Sequence, residues 1–191
     1  MSGANGLRPA VFLDRDGVIC ENREDYVKSR DEFVFIPGAV RAVADLTRAG
    51  HPVFVVTNQS AIGRGVIAAG DVDAIHDAMC EAIEAEGGRI EGIFVCPHAP
   101  ADGCGCRKPA AGLLREAAAR HRLDLARSWL VGDAATDCEA AATAGCGSVL
   151  VLTGRGRAHE RDAKPGFVAR DLAEAARWIL DRLPDGFQQV R

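Results

Sequence analysis

The chain has 191 residues, of which 48% are hydrophobic and 26% are charged, so it can bury a core and has the composition of a globular protein. Its formal net charge of -4 offers no basic surface for nucleic acid, and no apolar run approaches the roughly 20 residues that a membrane span requires. We therefore expect a single cytoplasmic domain over residues 1–191, with a loose tail over residues 1–9 that lacks the apolar core of a signal peptide.

Short apolar runs alternate with helical patterns along the chain. The runs are continuous rather than alternating, which is typical of strands covered on both faces. In chain order they lie at residues 10–13, 52–56, 92–95, 128–131 and 148–152, and more weakly at 166–169. This order of elements predicts a parallel, doubly wound, Rossmann-like α/β sheet, and no insertion is long enough to form a large cap domain.

Local signals mark several helix ends. A helix over residues 39–49 is expected to stop at Gly50, and Asp71 is expected to cap the next helix. A further helix spans about residues 110–121. The last helix begins at Asp171, which forms a capping box with Glu174, and it stops before Pro184.

Polar residues follow the first four predicted strands. In a doubly wound sheet, ligands bind beyond the carboxyl ends of the strands, so these residues are expected to converge on one crevice. They are Asp14 and Asp16, the run from Thr57 to Ser60, Arg107 and Lys108, and Asp133 with Asp137.

Asp14 and Asp16 have the chemistry to divide a phosphate-ester hydrolysis between them. The Asp14 carboxylate can attack phosphorus and form an acyl phosphate. Asp16 can protonate the leaving alcohol and then deprotonate the attacking water. Thr57 and Lys108 can stabilise the equatorial oxygens of the phosphate. These four residues are the predicted catalytic residues.

Attack by an anion on a dianionic phosphate requires charge neutralisation, which predicts a Mg²⁺ cofactor. Asp14, Asp16 and Asp133 are the predicted ligands, because Mg²⁺ prefers oxygen donors and takes its remaining ligands from phosphate, water and backbone. Two interpretations of Asp137 stay open: a residue of the site, or one that only orients Lys108 or caps the next helix.

A second metal site is predicted in the loop over residues 96–106. Cys96 and His98 form one ligand pair and Cys104 and Cys106 a second, with five residues between the pairs. Three thiolates and one imidazole fill the four positions of a tetrahedral Zn²⁺ and leave none for a substrate, so we expect this zinc to be structural.

These motifs together resemble the haloacid dehalogenase (HAD) superfamily of phosphatases. The matching segments are the DxD of Asp14 to Asp16, the Thr57 and Lys108 motifs, and the GDxxxD from Gly132 to Asp137. The segments FLDRDGVI, VVTNQSAIGRG and CPH…CxCRKP resemble, more narrowly, the D-glycero-D-manno-heptose 1,7-bisphosphate 7-phosphatases of nucleotide-heptose synthesis. The histidinol-phosphate phosphatases share most of this pattern and are the first alternative; an inactive zinc-loop binding module is the second.

The narrower resemblance implies a sugar bisphosphate substrate and a set of residues that contact it. The Arg before the catalytic Lys, here Arg107, would recognise the phosphate that stays on the sugar. The other residues implied are Tyr26, Asn58, Gln59 and Ser60. For Arg64 two interpretations stay open: a substrate contact, or a residue of a helix entry or the surface. The chain departs from the family pattern at Ala134, where Lys is common, and at Cys20, where Asn is usual. We expect a monomer. Gly154 to Arg157 could steer anions towards the site, but a solvated loop is the favoured interpretation.

Overall fold

A computed structural model of the chain describes residues 6–183. Six strands form one parallel sheet in the order β3-β2-β1-β4-β5-β6. The strands are β1 (Val11–Leu13), β2 (Val53–Asn58), β3 (Gly92–Cys96), β4 (Trp129–Gly132), β5 (Gly147–Val151) and β6 (Phe167–Ala169). The predicted doubly wound sheet is therefore confirmed, and all six apolar runs are strands.

Helices connect the strands and cover both faces of the sheet. They are α1 (Ala39–Arg48), α2 (Ser60–Gly63), α3 (Ala69–Ala85), α4 (Gly112–His121), α5 (Ala135–Ala144), α6 (Gly156–His159) and α7 (Leu172–Leu180). Short 3₁₀ turns lie at Arg30–Glu32, Pro100–Asp102 and Leu125–Arg127.

The alternation of side chains along the strands divides the core into two layers. Val53 and Val55 of β2 pack with α1, α3 and α7, whereas Phe54 and Val56 pack with α4 and α5. Successive side chains of a strand point to opposite faces, so strands that are apolar throughout fill both layers. This burial on both faces explains why the strand sequences are continuous hydrophobic runs.

The predicted helix caps have mixed outcomes. Asp171 caps α7, because its carboxylate accepts the N–H of Glu174 at 2.8 Å. The expectation that Asp71 caps α3 is wrong: the helix begins at Ala69, and the extended residue before it is Ala68, which has no capping side chain. Asp71 instead places its charge in the first turn, where the helix dipole favours an anion. Pro184 lies outside the described residues.

The segment between β1 and α1 contains the longest connection next to the crevice. Isolated bridges from Cys20 to Asp16 and from Cys20 to Phe35 join parts of this segment to one another. Within residues 6–183, no separate cap domain follows β1 or β2. No helix in this described range is long and apolar enough to cross a membrane.

Part of the predicted tail is attached to the domain. Arg8 bridges to Leu123, and its side chain donates to Glu91 at 2.6 Å. Residues 1–5 of that tail lie outside the described range.

Candidate active site

The four polar segments meet at the carboxyl edge of the sheet. β1 lies between β2 and β4 in the sheet, so the chain leaves the sheet on opposite sides of this point and opens a crevice there. The crevice is a cleft of about 300 Å³. Its lining includes Asp14, Asp16, Asn58, Gln59, Ser60, Arg107, Lys108, Asp133 and Asp137.

Lys108 lies at the floor of the cleft between two carboxylates. Its Nζ is 2.6 Å from Oδ1 of Asp137 and 3.1 Å from Oδ1 of Asp14, and it donates to the carbonyl of Val56 at 2.9 Å. Burial alone would lower the pKa of Lys108, but Asp137 and Asp14 raise it above its usual range. Lys108 is therefore a fixed cation beside the Asp14 carboxylate.

Asp14 and Asp133 are buried carboxylates with raised pKa values. Burial is the main cause for Asp14, whose pKa rises to about 6 although Lys108 opposes the shift. Burial, followed by the charge of Asp14, raises the pKa of Asp133 to about 7. The two groups thus carry negative charge that the protein alone stabilises poorly.

Two glycines with left-handed backbone make room for the Asp133 carboxylate. Gly17 has a φ of 80° and Gly154 a φ of 53°. A Cβ at either position would overlap Oδ2 of Asp133. The same oxygen accepts the N–H of Arg155 at 2.8 Å, so backbone from two loops fixes this side chain.

The carboxylates of Asp14, Asp133 and Asp137 have oxygens within 4.8 Å of one another. Three acidic groups around one ammonium leave an excess of negative charge, and oxygen donors suit a hard divalent cation. The arrangement therefore fits Mg²⁺. Asp137 is already engaged, because it contacts Lys108 and accepts the N–H of Ala134 at 3.1 Å. Both structural roles considered for Asp137, orienting Lys108 and capping the next helix, are present.

Asp16 lies at the wall of the cleft rather than in this carboxylate cluster. Its carboxylate accepts from Nη2 of Arg15 at 2.9 Å and from Nε2 of Gln59 at 2.7 Å. Thr57 is only 1% exposed, and its hydroxyl accepts from Gln59 at 2.9 Å. Gln59 thus joins two of the residues predicted to be catalytic.

Asn58 ties the end of β2 to the segment that carries Lys108. Its Nδ2 donates to the Lys108 carbonyl and its Oδ1 accepts the Lys108 N–H, each at 3.1 Å. Asn58 was predicted to contact substrate; it lines the cleft and also holds the backbone of Lys108 in place.

The four predicted zinc ligands converge at the end of β3. Sγ of Cys96 lies 3.1 Å from Sγ of Cys106 and 3.6 Å from Sγ of Cys104, and Nδ1 of His98 lies 3.3 Å from Sγ of Cys106. Sulfur atoms bound to one tetrahedral Zn²⁺ at about 2.3 Å stand about 3.8 Å apart, so this spacing fits the ion. Arg107, which follows the cluster, donates to the carbonyl of His98 at 3.3 Å and is thereby tied to this loop.

The remaining predicted contacts also line the cleft, on the side of the segment after β1 and of α2. Tyr26, Ser60 and Arg64 are among its lining residues. Arg155 lines it as well, although the sequence placed it in a solvated loop. Gly154, in the turn that follows β5, was the available signal, since glycine allows close approach of the backbone to a site.

Comparisons with known proteins agree with this geometry. A family model described as HAD-hydrolase-like matches residues 105–175. The D-glycero-beta-D-manno-heptose-1,7-bisphosphate 7-phosphatase of Bordetella bronchiseptica is 44% identical over 175 residues, covering 89% of this chain and 97% of that protein. The D-glycero-D-manno-heptose-1,7-bisphosphate 7-phosphatase of Thermosynechococcus vestitus is 38% identical over 193 residues, covering 92% of this chain and 97% of that protein.

Solved structures give the same result. The crystal structure of the B. bronchiseptica D,D-heptose 1,7-bisphosphate phosphatase, complexed with magnesium and phosphate, has a TM-score of 0.87 and 43% identity. The match covers 91% of this chain and 98% of the chain in the B. bronchiseptica structure. By its sequence, its fold and the residues gathered in its cleft, the chain belongs to the D-glycero-D-manno-heptose-1,7-bisphosphate 7-phosphatase family of HAD-like phosphatases.

Proposed function

We propose that the protein hydrolyses the C7 phosphate of D-glycero-D-manno-heptose 1,7-bisphosphate and prefers the β anomer. The observation that carries the proposal is the meeting of Asp14, Asp16, Lys108 and Asp133 in one cleft. A relative 44% identical to this chain is named for that reaction and that anomer, which supports the choice of substrate.

In the first step, a carboxylate oxygen of Asp14 attacks the C7 phosphorus. A bond forms between this oxygen and phosphorus, the bond from phosphorus to the C7 oxygen breaks, and Asp16 gives its proton to the departing sugar alkoxide. Lys108 contacts Asp14 at 3.1 Å and holds the attacking carboxylate in place. The products of this step are the sugar alcohol and an aspartyl phosphate.

In the second step, Asp16 removes a proton from a water molecule, which attacks the aspartyl phosphate. The bond between phosphorus and Asp14 breaks, inorganic phosphate leaves, and both carboxyl groups return to their starting states. The use of one residue as acid and then as base requires Asp16 to stay at the cleft wall, where Arg15 and Gln59 contact it.

Asp14 and Asp133 are the proposed holders of Mg²⁺, because their carboxylates lie together and the Asp16 carboxylate is kept for proton transfer. When bound, Mg²⁺ supplies positive charge that offsets the phosphate and the clustered carboxylates. Thr57 is buried beneath Gln59, so we propose that it positions Gln59 in addition to its predicted role at the phosphate oxygens.

The phosphate that stays on the sugar is proposed to bind at the outer end of the cleft. Arg107 and Arg155 line both the cleft and the adjoining depression, so two guanidinium groups flank the path of a second phosphate. Ala134, where the family commonly carries Lys, lines the same two surfaces as these arginines. Arg155 is proposed to supply the cation that Lys would provide there.

We also propose that the protein acts as a cytoplasmic monomer. No cap domain follows β1 or β2 within residues 6–183, so an open site on a single chain is the simplest arrangement. None of the seven cysteines forms a disulfide bond, as expected in a reducing compartment. Light scattering measures the molar mass in solution, and cell fractionation locates the protein.

The decisive experiment compares kcat/KM for the α and β heptose bisphosphates and for histidinol phosphate, with phosphate release as the readout. The kcat/KM of the β bisphosphate is expected to exceed that of histidinol phosphate by about 100-fold or more. The reason is that only the bisphosphate has a second phosphate to contact Arg107 and Arg155. Faster turnover of histidinol phosphate would assign the other activity. No turnover of any phosphate ester would instead favour a zinc-loop binding module on an inactive scaffold.

A further inference from the structure

The residue between the two catalytic carboxylates is a buried arginine. The Arg15 side chain is 1% exposed and is one of the largest fully buried side chains among residues 6–183. A buried guanidinium is costly unless its donors are paired. Its Nη2 donates to both oxygens of Asp16, at 2.9 and 3.0 Å, and to Oε1 of Gln59 at 3.0 Å.

The other end of this guanidinium contacts a histidine from a distant helix. Nη1 of Arg15 lies 3.2 Å from Nε2 of His76, which is on α3 and is 4% exposed. A guanidinium has donors and no acceptor, so Nε2 must accept and the ring is the neutral tautomer with its hydrogen on Nδ1. Burial, followed by the charge of Arg15, lowers the pKa of His76 to about 4, which keeps the ring neutral.

Arg15 is thus oriented from one side by His76 and delivers two donors to Asp16 on the other. The planar fork has a fixed geometry, so the position of Nη1 sets the direction of Nη2 and Nε. Two other described side chains donate to Asp16: the amide of Gln59 at 2.7 Å and, more weakly, the thiol of Cys20 at 3.5 Å. Gln59 also accepts from Arg15. Asp16 has a defined place at the cleft wall because of this chain of contacts.

We propose that His76 is a positioning residue for Asp16, acting through Arg15, and that it fixes the carboxyl group that protonates the leaving alcohol. This proposal rests on the assignment of Asp16 as acid and base in the proposed function. It gives α3 a role in the reaction although no α3 side chain lines the cleft.

The test uses leaving groups that differ in their need for a proton. An alkyl phosphate releases an alkoxide that must be protonated, whereas p-nitrophenyl phosphate releases an anion that is stable without a proton. The readout is the rate of leaving-group release in a single turnover, because the later hydrolysis of the aspartyl phosphate also uses Asp16 and is common to all substrates. General acid catalysis contributes about 10²–10⁴-fold, so His76→Phe is expected to lower this rate at least about tenfold on the heptose bisphosphate and on a simple primary alkyl phosphate. On p-nitrophenyl phosphate, the single-turnover release of nitrophenolate is expected to stay within about threefold of the wild-type rate.

Two further variants separate positioning from folding. His76→Gln keeps an oxygen that accepts from Arg15 and is expected to restore alkyl phosphate turnover. The double variant Asp16→Asn/His76→Phe is expected to lose no more activity on alkyl phosphates than Asp16→Asn alone. The effects of residues that act as one unit are not additive. Should His76→Phe fail to fold, Arg15→Lys is the substitute variant, because lysine keeps the positive charge but lacks the paired donors of the guanidinium. It is expected to slow leaving-group release from alkyl phosphates and not from p-nitrophenyl phosphate.

His121→Phe is the matched control, because His121 packs on Phe54 in the opposite core layer. Equal losses in the single-turnover rate of leaving-group release on alkyl and aryl phosphates, or no loss on either, would overturn the proposal. If the wild-type protein cleaves the small phosphates and not the bisphosphate, the proposed substrate is wrong while the role of His76 is still measured.

Discussion

The ammonium of Lys108 lies 2.6 Å from a carboxylate oxygen of Asp137, and both side chains are 2% exposed. Removal of one partner of a buried ion pair leaves the other charge without compensation, which is more costly than the pair itself. Asp137 also accepts the N–H of Ala134 at the start of α5. The pair therefore links the floor of the cleft to a helix end.

Asp137→Ala is accordingly expected to lower the free energy of unfolding by about 3–5 kcal/mol. Asp137→Asn keeps an acceptor for the N–H of Ala134, so its free energy of unfolding should fall by less. Urea unfolding measures both. Asp45→Ala is the control, because Asp45 forms only exposed pairs with Arg41 and Arg48, and such pairs contribute about 1 kcal/mol or less. A loss for Asp137→Ala as small as that of the control would contradict the structural role.

Asp14→Asn is expected to abolish hydrolysis. The amide oxygen is a poor nucleophile, so neither an acyl phosphate nor inorganic phosphate should form even in a single turnover. Rapid quench with labelled substrate measures both species. Asp73→Asn, an exposed substitution on α3, is the control and should retain wild-type turnover. Retained phosphate release by Asp14→Asn would rule out an aspartyl phosphate intermediate.

Cys104→Ala is expected to remove the zinc and to destabilise the protein. Structural zinc contributes about 10–16 kcal/mol of apparent binding energy in small sites, so loss of one ligand should lower both the metal content and the melting temperature. KM for the bisphosphate should rise as well, because Arg107 is tied to the same loop at the carbonyl of His98. Metal analysis, thermal unfolding and kinetics measure the three effects.

Cys80→Ala is the control for this variant, since Cys80 lies on α3 outside the cluster. It should keep about one zinc per chain. A Cys104→Ala protein with wild-type zinc content and stability would show that the cluster is not a zinc site.

Arg155→Ala is expected to weaken binding of the bisphosphate selectively. A charge-assisted hydrogen bond contributes about 1.5–3 kcal/mol, so KM should rise about 10–100-fold for the bisphosphate. Turnover of p-nitrophenyl phosphate, which has no second phosphate, should change much less. The backbone N–H that holds Asp133 is unaffected by the substitution.

Arg157→Ala serves as the matched control, because this exposed arginine is close in sequence and does not line the cleft. Equal effects of the two substitutions would indicate general electrostatic attraction rather than a specific phosphate contact.

Much of this site follows from the sequence alone. Apolar runs fix the six strands, and because parallel strands share one carboxyl edge, the polar residues after β1, β2, β3 and β4 must meet there. The four ligands of the proposed zinc site are readable because they lie within one short segment. Local sequence patterns are enough to identify functional residues that lie in one short segment or that the strand order brings to one edge of the sheet.

The residues that the sequence did not reveal depend on long-range packing. His76 contacts Arg15 across 61 positions of chain, and nothing in the α3 sequence distinguishes it from an ordinary core residue. Arg155 reaches the cleft because Gly154 and Gly17 allow two loops to approach Asp133. The start of α3 was misplaced because the extended residue before the helix has no capping side chain.

Acid sensitivity of folding provides the last prediction. The pKa of His76 is lowered from 6.5 to about 4 in the folded protein, by burial and then by Arg15, while Asp16 opposes the shift. Between these values the unfolded chain binds a proton that the folded protein does not, so this histidine makes stability fall as the pH decreases from about 6.5 towards 4. Above pH 6.5 both states are neutral at this site and the effect is absent.

At 1.36 kcal/mol per pH unit, the His76 contribution between pH 7.5 and pH 5 is a loss of about 2 kcal/mol. His76→Gln has no proton to gain, so its unfolding free energy should fall by about 2 kcal/mol less than that of the wild type over this range. Asp14 and Asp133 have raised pKa values and act in the opposite direction, but they are present in both proteins and cancel in the difference. Urea unfolding of the two proteins at both pH values measures this quantity, and identical pH dependence would show that His76 becomes protonated as readily in the folded protein as in the unfolded chain.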